Sequence, residues 1–122
     1  MQKHILIIDD NKDLLMMLTA MLKTKGYQIS VCETPENIVA LIKEVKPDII
    51  LMDMLLSGAD GRELCKEIKA DEAVASIPLL MLSAYPQAVH DCMAAGADAF
   101  IEKPFDMKAL LEKLAGLHGG DN

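Results

Sequence analysis

Five residues with reactive or charged side chains stand where mostly apolar runs end: Asp9 and Asp10 after His4 to Ile8, Asp53 after Asp48 to Met52, Ser83 after Ile77 to Leu82, and Lys103 after Ala99 to Glu102. Taken singly, each admits an ordinary structural role. Asp9-Asp10 can be turn residues before a helix, Asp53 a loop acid, Ser83 a helix cap and Lys103-Pro104 a helix start. Those separate roles do not explain a joint placement. Three carboxylates brought to one edge repel each other and acquire raised pKa values unless a cation sits among them. Magnesium suits such a set, because it takes hard oxygen ligands in octahedral geometry and keeps waters that a phosphate oxygen can replace. Zinc does not, since no His or Cys falls at these positions. A carboxylate can also attack phosphorus to give an aspartyl phosphate, provided that charge on the transferring group is neutralised and the geometry is in line. Lys103 would supply a compact, mobile cation to such a reaction and Ser83 a hydroxyl donor.

The elements needed to gather these residues can be read from periodicity. After the first strand, Asn11 opens a segment with Leu14, Leu15, Leu18, Met21 and Leu22 at helical spacing, stopped by Gly26. Tyr27 to Cys32 alternates as a second strand, and Pro35 suits the first turn of a helix carrying Ile38, Leu41, Ile42 and Val45 inward until Pro47, with Glu36, Lys43 and Glu44 outward. The nearly all-apolar run to Met52 is that of a central parallel strand covered on both faces. A glycine-containing loop follows, then a third helix marked by Leu64, Cys65 and Ile68, the fourth strand, and a short helix marked by Val89, Cys92 and Met93 and ended by Gly96. After the fifth strand, a last helix places Met107, Leu110, Leu111, Leu114 and Leu117 inward. Strict β-α alternation with short connections implies an α/β fold: a doubly wound, parallel five-stranded sheet of flavodoxin-like (βα)5 type, strand order 2-1-3-4-5. In that order ligands bind at the carboxyl ends of the strands, where the first and third part company. All five residues stand at such ends.

Composition bounds the rest. A chain of 122 residues that is 52% hydrophobic and 25% charged builds one core and is unlike a disordered chain. Residues 1–118 are expected to form a single domain and 119–122 a flexible tail; Gly119-Gly120 would suit a linker stub as well as a natural end. No apolar run approaches a membrane span and the N-terminus lacks a signal-peptide layout, so a cytoplasmic location is expected. Cys32, Cys65 and Cys92 are odd in number and widely spaced, which suggests reduced core thiols. With a net charge of -7 and its twelve Lys and Arg residues scattered among acids, the chain has no basic stripe for direct binding of nucleic acid.

Over essentially its whole length the sequence resembles the receiver domains of two-component response regulators. The resemblance rests on Asp9-Asp10, on Met52-Asp53 with Gly58 and Asp60-Gly61, on Ser83-Ala84, on Ala94-Ala95-Gly96-Ala97-Asp98, and on Phe100 with Lys103-Pro104-Phe105. It implies that Asp53 is the phosphoacceptor and that Asp10, with Asp9 to a lesser extent, holds magnesium together with Asp53 and the backbone carbonyl of Leu55. It implies that Ser83 and Lys103 contact the phosphoryl oxygens. Ser83 and Phe100 would be the switch: the hydroxyl moves toward the phosphoryl group, the aromatic ring turns inward, and the face of the fourth helix, fifth strand and fifth helix changes. Couplings of about 1–3 kcal/mol shift populations without completing them, so some active conformer is expected before phosphorylation. The implied partners are a histidine kinase or histidine phosphotransfer protein upstream and a protein reading that face downstream. The chain would not be an enzyme beyond catalysing its own phosphorylation and dephosphorylation. Lys103-Pro104 is a candidate cis peptide.

The departures from the family pattern are few. Ser57 stands where many receivers have proline, and Phe100 where tyrosine is common, so no ring hydroxyl is available to hold it outward. Leu55 and Tyr85, two residues beyond Asp53 and Ser83, border the water access to the phosphoryl group in the family. Neither is an acid or amide able to orient a water, which predicts slow self-dephosphorylation, unless both simply point away. A phosphatase of the haloacid dehalogenase type would need a second Asp two residues after its nucleophile, but Asp53 is followed by Met54-Leu55 and Asp9 by Asp10-Asn11. A flavodoxin-like electron carrier would need small hydroxyl and glycine residues where Asp9-Asp10 stand. A receiver-like module that is never phosphorylated stays open to a labelling experiment.

Overall fold

The alternation of short, mostly apolar runs with helical stretches is realised as ten main elements. In chain order they are β1 (His4–Ile8), α1 (Lys12–Thr24), β2 (Gln28–Cys32), α2 (Ile38–Val45), β3 (Ile49–Asp53), α3 (Gly61–Ala70), β4 (Leu79–Ser83), α4 (Val89–Ala94), β5 (Ala99–Glu102) and α5 (Met107–Leu117). The structure is a computed structural model and describes residues 2–34, 36–56 and 58–117. Pro35, Ser57 and the tail at 119–122, on which the sequence raised expectations, lie outside the described residues. The five strands form one parallel sheet in the order β2-β1-β3-β4-β5, as expected.

Side chains alternate across each central strand, so the apolar runs feed two cores. Ile5, Ile7, Ile49, Leu51, Leu80, Leu82 and Ile101 pack under α1 and α5 through Leu15, Leu18, Leu22, Leu110 and Leu114. Leu6, Ile8, Ile50, Met52, Leu79 and Met81 face α2, α3 and α4 through Ile38, Ile42, Cys65, Ile68 and Cys92. Each fully buried Leu or Ile is worth roughly 1.5–3 kcal/mol relative to exposure, so the sheet is a rigid platform. Cys65 and Cys92 are buried, Cys32 is half-buried, and all three are free thiols. Among the described residues no helix is long and apolar enough to cross a membrane.

Local signals explain the element ends. Asn11 caps α1 by accepting a hydrogen bond from the Leu14 amide at 3.1 Å, and Gly26 follows the helix with φ of 91°, a conformation glycine adopts at little cost. Three of the apolar residues that mark α1 and α4 by their spacing, Met21, Val89 and Met93, are exposed. Met21 lines an open groove between α1 and α5 with Met107 and Leu111, and the short α4 buries only Cys92 among its own residues. Two features carried no periodic signal: a 3-10 turn at Pro86–Ala88, and a two-residue antiparallel ladder pairing Leu55–Leu56 with Ala59–Asp60.

Candidate functional site

The strand ends converge as the topology requires. Asp9 follows β1, Asp53 ends β3, Ser83 ends β4 and Lys103 follows β5. Backbone bonds fix these ends against one another: the Asp9 amide donates to the Cys32 carbonyl, the Met54 amide to the Leu82 carbonyl and the Lys103 amide to the Ser83 carbonyl, at 3.1, 2.8 and 2.8 Å. The Lys103-Pro104 peptide is cis. Lys103 reaches back over the sheet edge, and its Nζ donates to Asp53 Oδ1 at 2.8 Å and lies 3.6 Å from Asp9 Oδ2.

Asp9, Asp10 and Asp53 each bring a carboxylate oxygen within 4.8 Å of the others. Asp9 is 1% exposed; its Oδ1 accepts from the Asn11 amide at 2.8 Å, whereas its Oδ2 is buried with no hydrogen-bond partner. An anionic oxygen taken out of water without a hydrogen bond is costly, and a cation beside it removes that cost. Burial pushes the Asp53 carboxyl above the usual carboxylate range; the Lys103 hydrogen bond and charge pull it back, and the charges of Asp9 and Asp10 raise it further. Three carboxylates gathered within reach of one another, with an all-oxygen donor set, fit a hard divalent cation.

Ser83 is buried, and its Oγ accepts a hydrogen bond from the Tyr85 amide at 3.0 Å, which orders the turn after β4. Leu55 and Tyr85 are 50% and 47% exposed. Phe100 lies outside the cluster: it is half-buried on β5 against the α2-α3-α4 core, paired in register with Met81. Sequence reasoning assigned no role to Asp60 or Arg62. Asp60 caps α3 by accepting from the Arg62 amide at 2.9 Å, binds the Arg62 guanidinium through both oxygens at 3.0 and 2.7 Å, and is held below the usual carboxylate range by it. Arg62 also reaches Asp91 on α4 at 3.4 Å. The Asp60-Gly61 pair was visible, but nothing in it announced the arginine.

Residues 5–115 match the response regulator receiver domain family. The chain belongs to that family. Among curated relatives of this receiver, the phosphate regulon transcriptional regulatory protein PhoB of Pseudomonas aeruginosa is 36% identical over 114 residues, 92% of this chain and 50% of that protein. The receiver chain thus spans about half the length of the curated relatives it matches. Among solved structures, a two-component response regulator from Clostridium difficile superposes with a TM-score of 0.88 at 28% identity, covering 99% of this chain and 100% of that one. The receiver domain of a sensor histidine kinase from Pseudomonas aeruginosa, with a magnesium ion coordinated in its active-site cleft, gives 0.87 at 28% identity, covering 98% and 99%.

Proposed function

We propose that this receiver accepts a phosphoryl group on Asp53 from a phosphohistidine of a histidine kinase or phosphotransfer protein, in a magnesium-dependent reaction. The observation that carries the reading is the buried Asp53 carboxylate, bonded to Lys103 and set among two further acids, of which Asp9 has a buried oxygen with no hydrogen-bond partner. An Asp53 carboxylate oxygen attacks phosphorus, the P–N bond to the donor imidazole breaks, and the acyl phosphate remains on the chain. Asp9, Asp10, Asp53 and the Leu55 carbonyl would hold magnesium, which supplies charge neutralisation at the transferring group. Lys103, already at Asp53, would follow its charge onto a phosphoryl oxygen. Ser83 would exchange its bond to the Tyr85 amide for one with the phosphoryl group, and Phe100 would turn into the space left behind.

The donor protein has a surface to meet beside the site: a cleft of about 350 Å³ lined by Asn11, Leu14, Met17, Lys103, Pro104 and Phe105. The output partner would read the face of α4, β5 and α5, where Val89 and Met93 are exposed. The same reading places the domain in the cytoplasm, with no enzymatic activity on separate substrates and no direct nucleic-acid contact from these residues. Leu55 and Tyr85 would slow hydrolysis by offering water no acid or amide. Intact mass after incubation with acetyl phosphate and magnesium tests the assignment: one phosphoryl adduct in the native chain and none in Asp53→Asn is expected, and an adduct that survives the substitution overturns it.

A further inference from the structure

Gly61, the first residue of α3, lies against the peptide that follows Asp53. Its amide donates to the Met54 carbonyl at 2.6 Å. A Cβ built on Gly61 would stand 2.5 Å from the Asp53 carbonyl oxygen and 2.9 Å from both Cα and the carbonyl oxygen of Met54. Gly61 is itself buried, and its φ is not among the positive values, so glycine is required here for space rather than for backbone freedom. On its other side the same peptide is held by the Met54 amide, which donates to the Leu82 carbonyl at 2.8 Å. The Asp53-Met54 peptide is therefore clamped between β4 and the start of α3. The start of α3 is fixed in turn by Asp60, which caps it, chelates Arg62 and pairs in the ladder with Leu55.

We infer that Gly61 is a positioning residue for phosphoryl acceptance: the contact of its bare Cα with the Asp53-Met54 peptide sets where the Asp53 carboxylate meets Lys103 and the other two acids. The inference rests on Asp53 being the acceptor. The contacted atoms are backbone, which cannot swing aside as the end of a flexible side chain can. A methyl group at 61 must displace the peptide by about 1 Å to reach ordinary contact distance, and a displacement of that order can cost about 10²-fold in rate where reaction depends on orientation.

The control is Gly58, in the same loop, where an added Cβ meets nothing within 4 Å although φ is +78°. Gly58→Ala strains the loop without touching Asp53 or its neighbours. The experiment compares native chain, Gly61→Ala, Gly58→Ala and Asp53→Asn by thermal unfolding, by magnesium affinity from calorimetry, and by the rate of adduct formation from acetyl phosphate with magnesium. Gly61→Ala is expected to lose on the order of 10²-fold in rate and to bind magnesium more weakly, while Gly58→Ala, with comparable or greater loss of stability, keeps both near native values. A Gly61→Ala protein that folds and matches the native rate and affinity overturns the inference, as does an equal loss in Gly58→Ala. Failure of the native chain to form an Asp53-dependent adduct would instead overturn the acceptor assignment. If Gly61→Ala does not fold, the native chain decides by NMR. The Gly61 amide should be protected from exchange and shift on magnesium addition, and an unprotected, unresponsive amide overturns the inference.

Discussion

Magnesium should stabilise the fold by an amount that can be worked out. A ligand that binds only the native state adds about 2.7 kcal/mol at 100 times its dissociation constant. With an unfolding entropy of about 2.1 cal/mol/K per residue, a chain of 122 residues should then melt about 10 °C higher. The gain depends on the ionised acids, and pH enters with a defined sign. Because burial raises the Asp53 carboxyl above its unfolded value, the favourable contribution of its protonated form is complete below the unfolded value. It is lost as pH rises through the folded one. The metal-free protein should therefore lose stability over that window, while the shift on adding magnesium should grow over it, since protons and metal compete for the same oxygens. The assay is thermal unfolding across the acidic to neutral range, with and without magnesium, ionic strength being matched with sodium chloride. A shift no larger than that from sodium chloride, or one undiminished in Asp53→Asn, would refute the reasoning.

Five further outcomes are expected. Asp53→Asn, free of metal at neutral pH, should melt above the native protein, because the amide carries no charge for burial to penalise; a lower melting temperature contradicts this. Lys103→Gln removes the ammonium that donates to Asp53 at 2.8 Å and should slow adduct formation by roughly 10²–10³-fold with the fold retained, as followed by time-resolved intact mass. Leu55→Asn places an amide at a position that is half exposed, and should shorten the phosphoryl lifetime after donor removal; an unchanged lifetime sinks the idea that this residue restricts hydrolysis. Leu18→Ala empties a fully buried site under the sheet at a cost of about 2–5 kcal/mol. Met16→Ala, at a position 72% exposed, should stay within about 0.5 kcal/mol in denaturant titration.

The fold was legible because both of its determinants are periodic. Runs such as Ile49 to Met52 alternate between two cores and can only be central strands, while Leu15, Leu18 and Leu22 recur at helical spacing. The acids and Lys103 were legible for a related reason: polar side chains that interrupt the ends of buried strands must meet at one edge once the strand order is known. What escaped has no period. The Leu55-Asp60 ladder and the Arg62 chelate are set by loop geometry over a few residues. The crowding at Gly61 arises between segments whose approach no local pattern encodes. The exposure of Met21, Val89 and Met93 could not be read, because apolar spacing marks a stripe without saying how much of it the neighbouring elements cover.

The central claim, that Asp53 carries the phosphoryl group, is tested most directly by trapping it. Borohydride reduces an acyl phosphate and leaves phosphoserine intact, so treating the acetyl phosphate-loaded protein and sequencing its peptides by mass spectrometry locates the modified carboxyl. Reduction is predicted at position 53 alone and dependent on magnesium, with the neighbouring Asp9 and Asp10 left unreduced. Reduction at either of those acids instead, or phosphate retained on Ser83, would contradict the account.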